Sequence, residues 1–360
     1  MSQAQPWDAA VDLIHRSTNP LLICHISPDG DAIGSLLGLG LALRTLDKTP
    51  ILACESPVPP KFSFLPGYQI IINTVDLDAV DLVIGLDCSD TARLGSIFDA
   101  DLLSEVPLIN IDHHITNLYF GDVNLVDPDA CSTAEIVFTL LDHLGVPLGP
   151  QQTTRLTELP ASSDVDHTGA SESAPDRPSA AQAAEIATCL LTGIVTDTLG
   201  FRTSNVTPKV MGVAMQLMQA GASLSEVTHN AFNKRPLCEL RLLAQGLSQM
   251  QSKDGVAWSE IALTDRRVCG HQGNGDAGLV GMLVRTQEIH MAAVFIEKKD
   301  NQVEISFRAD PGFDVAQLAL SLGGGGHAAA SGCTISGPLD AAKARILPVL
   351  LSALREQRGE

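Results

Sequence analysis

Acidic and imidazole side chains recur in this sequence at the points where apolar runs stop. LLICHI at 21–26 delivers His25, and Asp29 and Asp31 follow it around Gly30. LVIGLD ends on Asp87, PLINID ends on Asp112 with His113 and His114 directly behind it, and LLTGIVTD ends on Asp197. Brought together, so many carboxylates would repel one another severely unless cations neutralised them. Asp oxygens mixed with His nitrogens suit hard or borderline divalent cations such as Mn²⁺ or Mg²⁺. On an extended loop alternate residues face the same way, so Asp29 and Asp31 could each reach a cation, and the two cations could be neighbours. Taken singly, an aspartate after a strand reads as a helix cap, as Asp31 does before Ala32, and a lone histidine reads as structural. The joint order, His–x3–Asp–x–Asp, then Asp, then Asp–His–His, then Asp, is not one that independent caps require.

The elements that would position these residues alternate. Residues 7–18 read as a helix, 21–26 as a buried strand and 31–46 as a helix. Further strands are expected at 50–54, 81–87 and 107–112, then helices at 133–145, around AAEIATCLLTGIVTDT and at 209–221. Strands alternating with helices predict a parallel sheet with helices on both faces. In such a sheet the carboxyl ends of the strands share one edge, where ligands bind. Met211, Met215 and Met218 recur at helical spacing, a pattern expected of core packing. From about residue 254 the pattern turns to strands, VAWSEIAL, HMAAVFIEKK and QVEISFRA, followed by SLGGGGHAAASG and a closing helix. The expected architecture is α/β: a first domain over 1–221, a connecting region over 222–250 and a smaller α/β domain over 251–360, with a cleft between the two. Residues 157–182, rich in Ser, Ala, Pro and Asp, are expected to be a disordered insertion.

Composition narrows the function further. The chain has 360 residues, 45% hydrophobic and 18% charged, which fits a globular protein. Its net charge of −19 argues against a protein that coats DNA, but not against a small anionic substrate, because bound cations invert the local sign of a site. Eight scattered cysteines form no CxxC pair and read as reduced core residues rather than a zinc site. No signal-peptide pattern or apolar run of membrane-spanning length is visible, so a cytoplasmic location without membrane contact is expected.

The segments His25-Ile26-Ser27-Pro28-Asp29-Gly30-Asp31, Leu86-Asp87-Cys88-Ser89, Asp112-His113-His114 and Thr196-Asp197-Thr198 resemble the four motifs of the DHH phosphoesterase superfamily. Ser306-Phe307-Arg308 and Gly323 to Gly332 resemble its associated C-terminal domain, and the nearest group is that of the nanoRNases and pAp phosphatases. The segment 157–182 departs from the family pattern, and Leu199 stands where many relatives have glycine. The resemblance implies two Mn²⁺ ions, with Mg²⁺ as the alternative. His25 and Asp29 would hold the first, Asp31, His113 and Asp197 the second, and Asp87 both. Asp112 would orient a histidine from behind, and His114 would face the scissile phosphate or the leaving oxygen, which makes Asp87, Asp112 and His114 the catalytic candidates.

Glycines let backbone N–H groups approach an anion closely. The resemblance assigns Gly324, Gly325, Gly326 and His327, with Arg308, to gripping the nucleotide away from the metals, and Arg202, just past Asp197, is a further candidate for a substrate phosphate. The implied activity is hydrolysis of short oligoribonucleotides to mononucleotides, dephosphorylation of pAp, or both, on short single-stranded RNA or DNA or small nucleotides. The alternative is a cyclic-di-AMP or pApA phosphodiesterase, and the family suggests a homodimer.

Overall fold

Runs such as PLLIC and LVIGL offer no polar face to water, so they become strands covered on both sides. The computed structural model describes residues 6–148 and 178–359. The chain divides into two compact units, Met1–Lys234 and Arg235–Glu360. The first holds strands β1 (Pro20–Cys24), β2 (Ile51–Ala53), β3 (Leu82–Leu86), β4 (Leu108–Asp112) and β5 (Val123–Val126). Its helices are α1 (Pro6–Arg16), α2 (Gly30–Arg44), α3 (Thr133–His143), α4 (Ala180–Asp197), α5 (Pro208–Gln219) and α6 (Leu224–Thr228). The strands form one parallel sheet in the order β2-β1-β3-β4-β5. The chain order reverses between β1 and β3, and a crevice at such a switch point is where open α/β sheets bind ligands. His25 follows β1 and Asp87 follows β3.

The two sheet faces are covered differently. Leu22, Leu82, Ile84 and Ile109 pack with α2, α3 and α4 in one core. Leu21, Ile23 and Val83 pack on the opposite face against Leu94 and Ile97 of a 3-10 segment, Thr91–Ile97. Helices α2 and α4 approach closely because small residues line their contact. A Cβ on Gly193 would lie 2.6 Å from Asp31 Oδ1, and one on Gly34 would lie 2.5 Å from the Cys189 carbonyl.

The methionine stripe is not core. Val210, Val213, Ala214 and Leu217 form the buried face of α5, while Met211, Met215 and Met218 are 49%, 49% and 45% exposed. The apolar residues of α5 make two adjoining stripes, and one stripe suffices to cover the neighbouring helix. The stretch 222–250 is itself largely helical, with α6, a π turn over His229–Asn233, and α7 (Leu237–Ser248). Residues 157–177 of the expected insertion lie outside the described residues, while α4 begins at Ala180 behind a Ser179 cap.

The second unit holds α7, α8 (Leu263–Cys269), α9 (Leu279–Leu283), α10 (Ala316–Ser321) and α11 (Leu339–Arg358). Its strands β6 (Gln251–Lys253), β7 (Val256–Ile261), β8 (Met291–Lys298), β9 (Gln302–Ala309), β10 (Gly325–His327) and β11 (Ala330–Ser336) form a mixed sheet in the order β10-β11-β9-β8-β7-β6. Strands β7 and β8 are parallel and the other neighbours antiparallel. Helices α10 and α11 cover one face and α7, α8 and α9 the other.

Candidate metal centre

Three strand ends and two helix ends bring the polar residues of the first unit together. His25 stands one residue past β1, Asp87 one past β3, and Asp112 closes β4 with His113 and His114 behind it. Asp197 ends α4. Asp29 and Asp31 are not on an extended loop, as their spacing suggested. Asp29 is the cap of α2, its Oδ1 accepting from the amides of Asp31 at 2.9 Å and Ala32 at 3.1 Å, and Asp31 lies in the first helical turn. Capping costs Asp29 one oxygen and leaves the other available.

The side chains form three sets whose donor atoms all lie within 4.8 Å of one another: His25, Asp29 and Asp87; Asp31, His113 and Asp197; and Asp87, His113 and His114. His25 Nε2 is 3.4 Å from Asp87 Oδ2 and 3.9 Å from Asp29 Oδ1. His113 Nε2 is 3.5 Å from Asp197 Oδ2, 3.7 Å from Asp87 Oδ1 and 3.9 Å from Asp31 Oδ2. Most of these separations exceed a hydrogen bond, yet two donors that each sit about 2.0–2.2 Å from one cation lie roughly 3–4 Å apart. The donors are oxygens and imidazole nitrogens only, so the set fits a hard or borderline divalent cation. Asp87 belongs to the first and third of these sets and reaches the second through His113, its Oδ2 facing His25 and its Oδ1 facing His113.

The electrostatics show how strained this cluster is without counter-charge. Asp31 is 1% exposed, and burial, with Asp87, Asp197 and Asp29 beside it, pushes its carboxyl well above the usual range. Burial and the carboxylates of Asp87 and Asp29 lift Asp197 to about 6. Burial works to lower the pKa of His25, but Asp29 and Asp87 outweigh it and raise the imidazole to about 10. Cations would relieve all three at once.

Asp112 is fully buried and stands behind this rim. Its Oδ1 lies 2.6 Å from His114 Nδ1, and its Oδ2 accepts from Asn117 Nδ2 at 2.6 Å. That contact orients His114, raises its pKa and leaves its Nε2 unencumbered by Asp112. Several contributors carry no sequence signal of chemistry. Asn117 locks Asp112, Ser35 donates to Asp31 at 3.3 Å, and the start of α3 holds both Asp31 and Asp87. Ser132 caps α3 with Glu135 three residues on, a recognisable cap pattern that marks a helix start but not its proximity to this rim.

The substrate candidates fall in two places. Arg202 is exposed in the loop past Asp197, its Nε donating to the Leu199 carbonyl at 2.5 Å. In the second unit Arg308 lies on β9 opposite Ala330 of β11, which in turn lies opposite His327 of β10. Residues opposite one another share a face, so Arg308 and His327 flank Ala330 on one side of the sheet. Arg308 is half-buried, donates to the Phe307 carbonyl at 2.8 Å and has no carboxylate partner among the described residues. Gly324 leads into β10, which Gly325 and Gly326 open; Gly326 has φ 137° and a Cβ on Gly324 would meet the Gly332 carbonyl. No helix among the described residues is long and apolar enough to cross a membrane.

Residues 20–194 match the DHH family N-terminal domain, and residues 272–356 match the DHHA1 domain. The bifunctional oligoribonuclease and PAP phosphatase NrnA of Thermus thermophilus is 35% identical over 92% of this chain and 88% of its own length. The protein of the same description from Bacillus subtilis is 30% identical over 86% of this chain and 87% of its own. An exopolyphosphatase-related protein from Bacteroides fragilis has the same fold, with a TM-score of 0.80 and 23% identity over 99% of this chain and 98% of that one. With these motifs, this architecture and these relatives, the chain belongs to the DHH family of phosphoesterases and carries its DHHA1 domain.

Proposed function

We propose that the chain is a Mn²⁺-dependent hydrolase that degrades short oligoribonucleotides to mononucleotides and removes a phosphate from pAp. The observation that carries this reading is the pair of donor sets on either side of Asp87, which belongs to the His25–Asp29 set and turns its other oxygen to His113 of the second. The relatives named as oligoribonuclease and PAP phosphatase support the substrate class.

His25, Asp29 and Asp87 would hold one cation, and Asp31, His113, Asp197 and Asp87 the other. Bound there, divalent cations would neutralise the phosphate, acidify the attacking water and stabilise the attacking and leaving oxygens. The chain's own residues supply the rest. Asp112 fixes the ring of His114 and raises its pKa, so that Nε2 can hold the phosphate or hand a proton to the leaving oxygen. Arg202 and Arg308 would bind phosphate or stack on a base, and the glycine turn with His327 would receive the nucleotide through its backbone amides. Positioning and charge neutralisation account for most of such a rate enhancement.

All eight cysteines are free and seven are buried, which supports a reducing, cytoplasmic setting. A homodimer is the assembly we expect, to be checked by light scattering. The functional test is a parallel assay of pAp, pApA, cyclic di-AMP, RNA dimers and an RNA 20-mer with Mn²⁺. Fastest turnover of pAp and short RNA is expected. Fastest turnover of cyclic di-AMP would favour the cyclic-dinucleotide alternative, and 20-mers outpacing dimers would defeat the short-substrate reading.

A further inference from the structure

Thr133 opens α3, where the first amides of a helix have no partner within the helix. Those amides are used on a carboxylate. Thr133 N donates to Asp31 Oδ2 at 2.6 Å, and Ala134 N donates to Asp31 Oδ1 at 3.0 Å. The Thr133 hydroxyl donates to Asp87 Oδ1 at 2.9 Å. Thr133, Asp31 and Asp87 are 0%, 1% and 2% exposed, so water does not compete for these bonds. One residue thereby grips two different carboxylates of the candidate centre.

The grip is not symmetric. Asp87 Oδ2 faces His25 at 3.4 Å, whereas Oδ1 faces His113 at 3.7 Å. The hydroxyl of Thr133 therefore sits on the oxygen of the His113 side, the side to which Asp31 and Asp197 also belong. An ionised carboxylate only accepts hydrogen bonds, so the hydroxyl must point its proton at Oδ1 and cannot turn away without leaving a buried charge short of a donor. The start of α3 is braced from behind. Glu135, 2% exposed, accepts from Cys131 N at 2.8 Å and pairs with Lys209 at 2.9 Å, and Lys209 lies in the first turn of α5. The helix end that holds Asp31 and Asp87 is thus tied to the chain segment that leads away from Asp197.

We infer that Thr133 is a positioning residue for the Asp31–His113–Asp197 subsite, holding Asp31 and Asp87 at the spacing a second cation needs. This rests on the reading of the site as a paired-cation centre. Replacing a group that hydrogen-bonds a metal ligand costs about 10–100-fold in affinity. Thr133→Val keeps the shape and the backbone amide but removes the hydroxyl, and Thr133→Ser keeps the hydroxyl.

The test titrates metal-free full-length protein with Mn²⁺, following bound ion by calorimetry and the coupled Mn²⁺ pair by electron paramagnetic resonance. Wild type and Thr133→Ser should bind two ions and give the coupled signal. Thr133→Val should bind the first ion like wild type and the second about 10–100-fold more weakly. If the valine variant does not fold, Thr133→Cys, whose thiol is a weak donor, carries the same expectation. Two ions bound by the valine or cysteine variant with wild-type affinities would overturn the inference and leave the paired-cation reading standing. Equal weakening of both ions would overturn the assignment to one subsite. Fewer than two ions bound by wild type would instead overturn the paired-cation reading itself, and the inference with it.

Discussion

Replacing Asp197 with asparagine should move metal-free stability and catalytic competence in opposite directions. Burial and the carboxylates of Asp87 and Asp29 raise Asp197 from 3.8 to about 6 in the folded, metal-free protein. A carboxyl whose folded pKa lies above its unfolded value contributes stability below about pH 4, and that contribution is lost as pH rises through 6. At about 1.4 kcal/mol per pH unit, keeping it ionised at pH 7.5 costs at most about 3 kcal/mol. The side chain is 29% exposed, so screening reduces this to about 1–2 kcal/mol. Asparagine has nearly the same shape and no charge. In EDTA at pH 7.5, Asp197→Asn should therefore unfold about 2–8 °C above wild type, and the gap should shrink to about half by pH 5 and close near pH 4. With saturating Mn²⁺ the order should reverse, because wild type gains binding free energy that the variant has largely lost, and the variant's turnover should collapse. Differential scanning fluorimetry across about pH 4–8, with EDTA and with Mn²⁺, reads all of this. A variant less stable than wild type in EDTA at pH 7.5, or one stabilised by Mn²⁺ as much as wild type, would refute the reasoning.

Four further outcomes are expected. His25 is raised to about 10 without metal, and a ligand imidazole must be neutral, so Mn²⁺ binding at pH 7.5 should release about one proton or more; titration calorimetry in buffers of different ionisation enthalpy measures it, and buffer-independent heats would contradict it. His114→Ala should lower kcat about 100-fold or more while Mn²⁺ uptake stays at two ions by equilibrium dialysis, and lost uptake would make His114 a ligand instead. Arg308→Ala should raise KM for dinucleotides about 10–100-fold with kcat little changed, the worth of a charged hydrogen bond; unchanged KM would remove it from the binding surface. Leu199 holds φ 50° and is 44% exposed, so Leu199→Gly should relieve left-handed strain at little cost in burial and raise stability by about 0.5–1 kcal/mol, measured as the midpoint of denaturant unfolding, with a fall as the contrary result.

The legible part of the fold was the part buried on both faces. PLLIC, LVIGL and LINID carry no polar interruption beyond Asn110 and the terminal Asp112, and each became a central strand. β5 escaped notice because VNLV is short, half-buried and at the edge of the sheet. The methionine stripe of α5 misled because periodicity identifies a helix's apolar stripes but not which of them finds a partner. At the site, strand-end logic located His25, Asp87 and His113, since parallel strands deliver their next residue to a common edge. The spacing of Asp29 and Asp31 was read with the wrong period: Asp29 ends its loop by capping, and Asp31 is already helical. Thr133 was invisible because its partners lie 102 and 46 residues away in sequence, and nothing local distinguishes its hydroxyl from that of any helix-start threonine.

The central claim is that one carboxylate, Asp87, joins two cation subsites. Crystals grown with Mn²⁺ and measured at its absorption edge test this most directly. The account predicts two anomalous peaks about 3.5–4 Å apart, one beside His25 and Asp29, the other beside Asp31, His113 and Asp197, with Asp87 touching both. A single peak, or two peaks that Asp87 does not bridge, would contradict it.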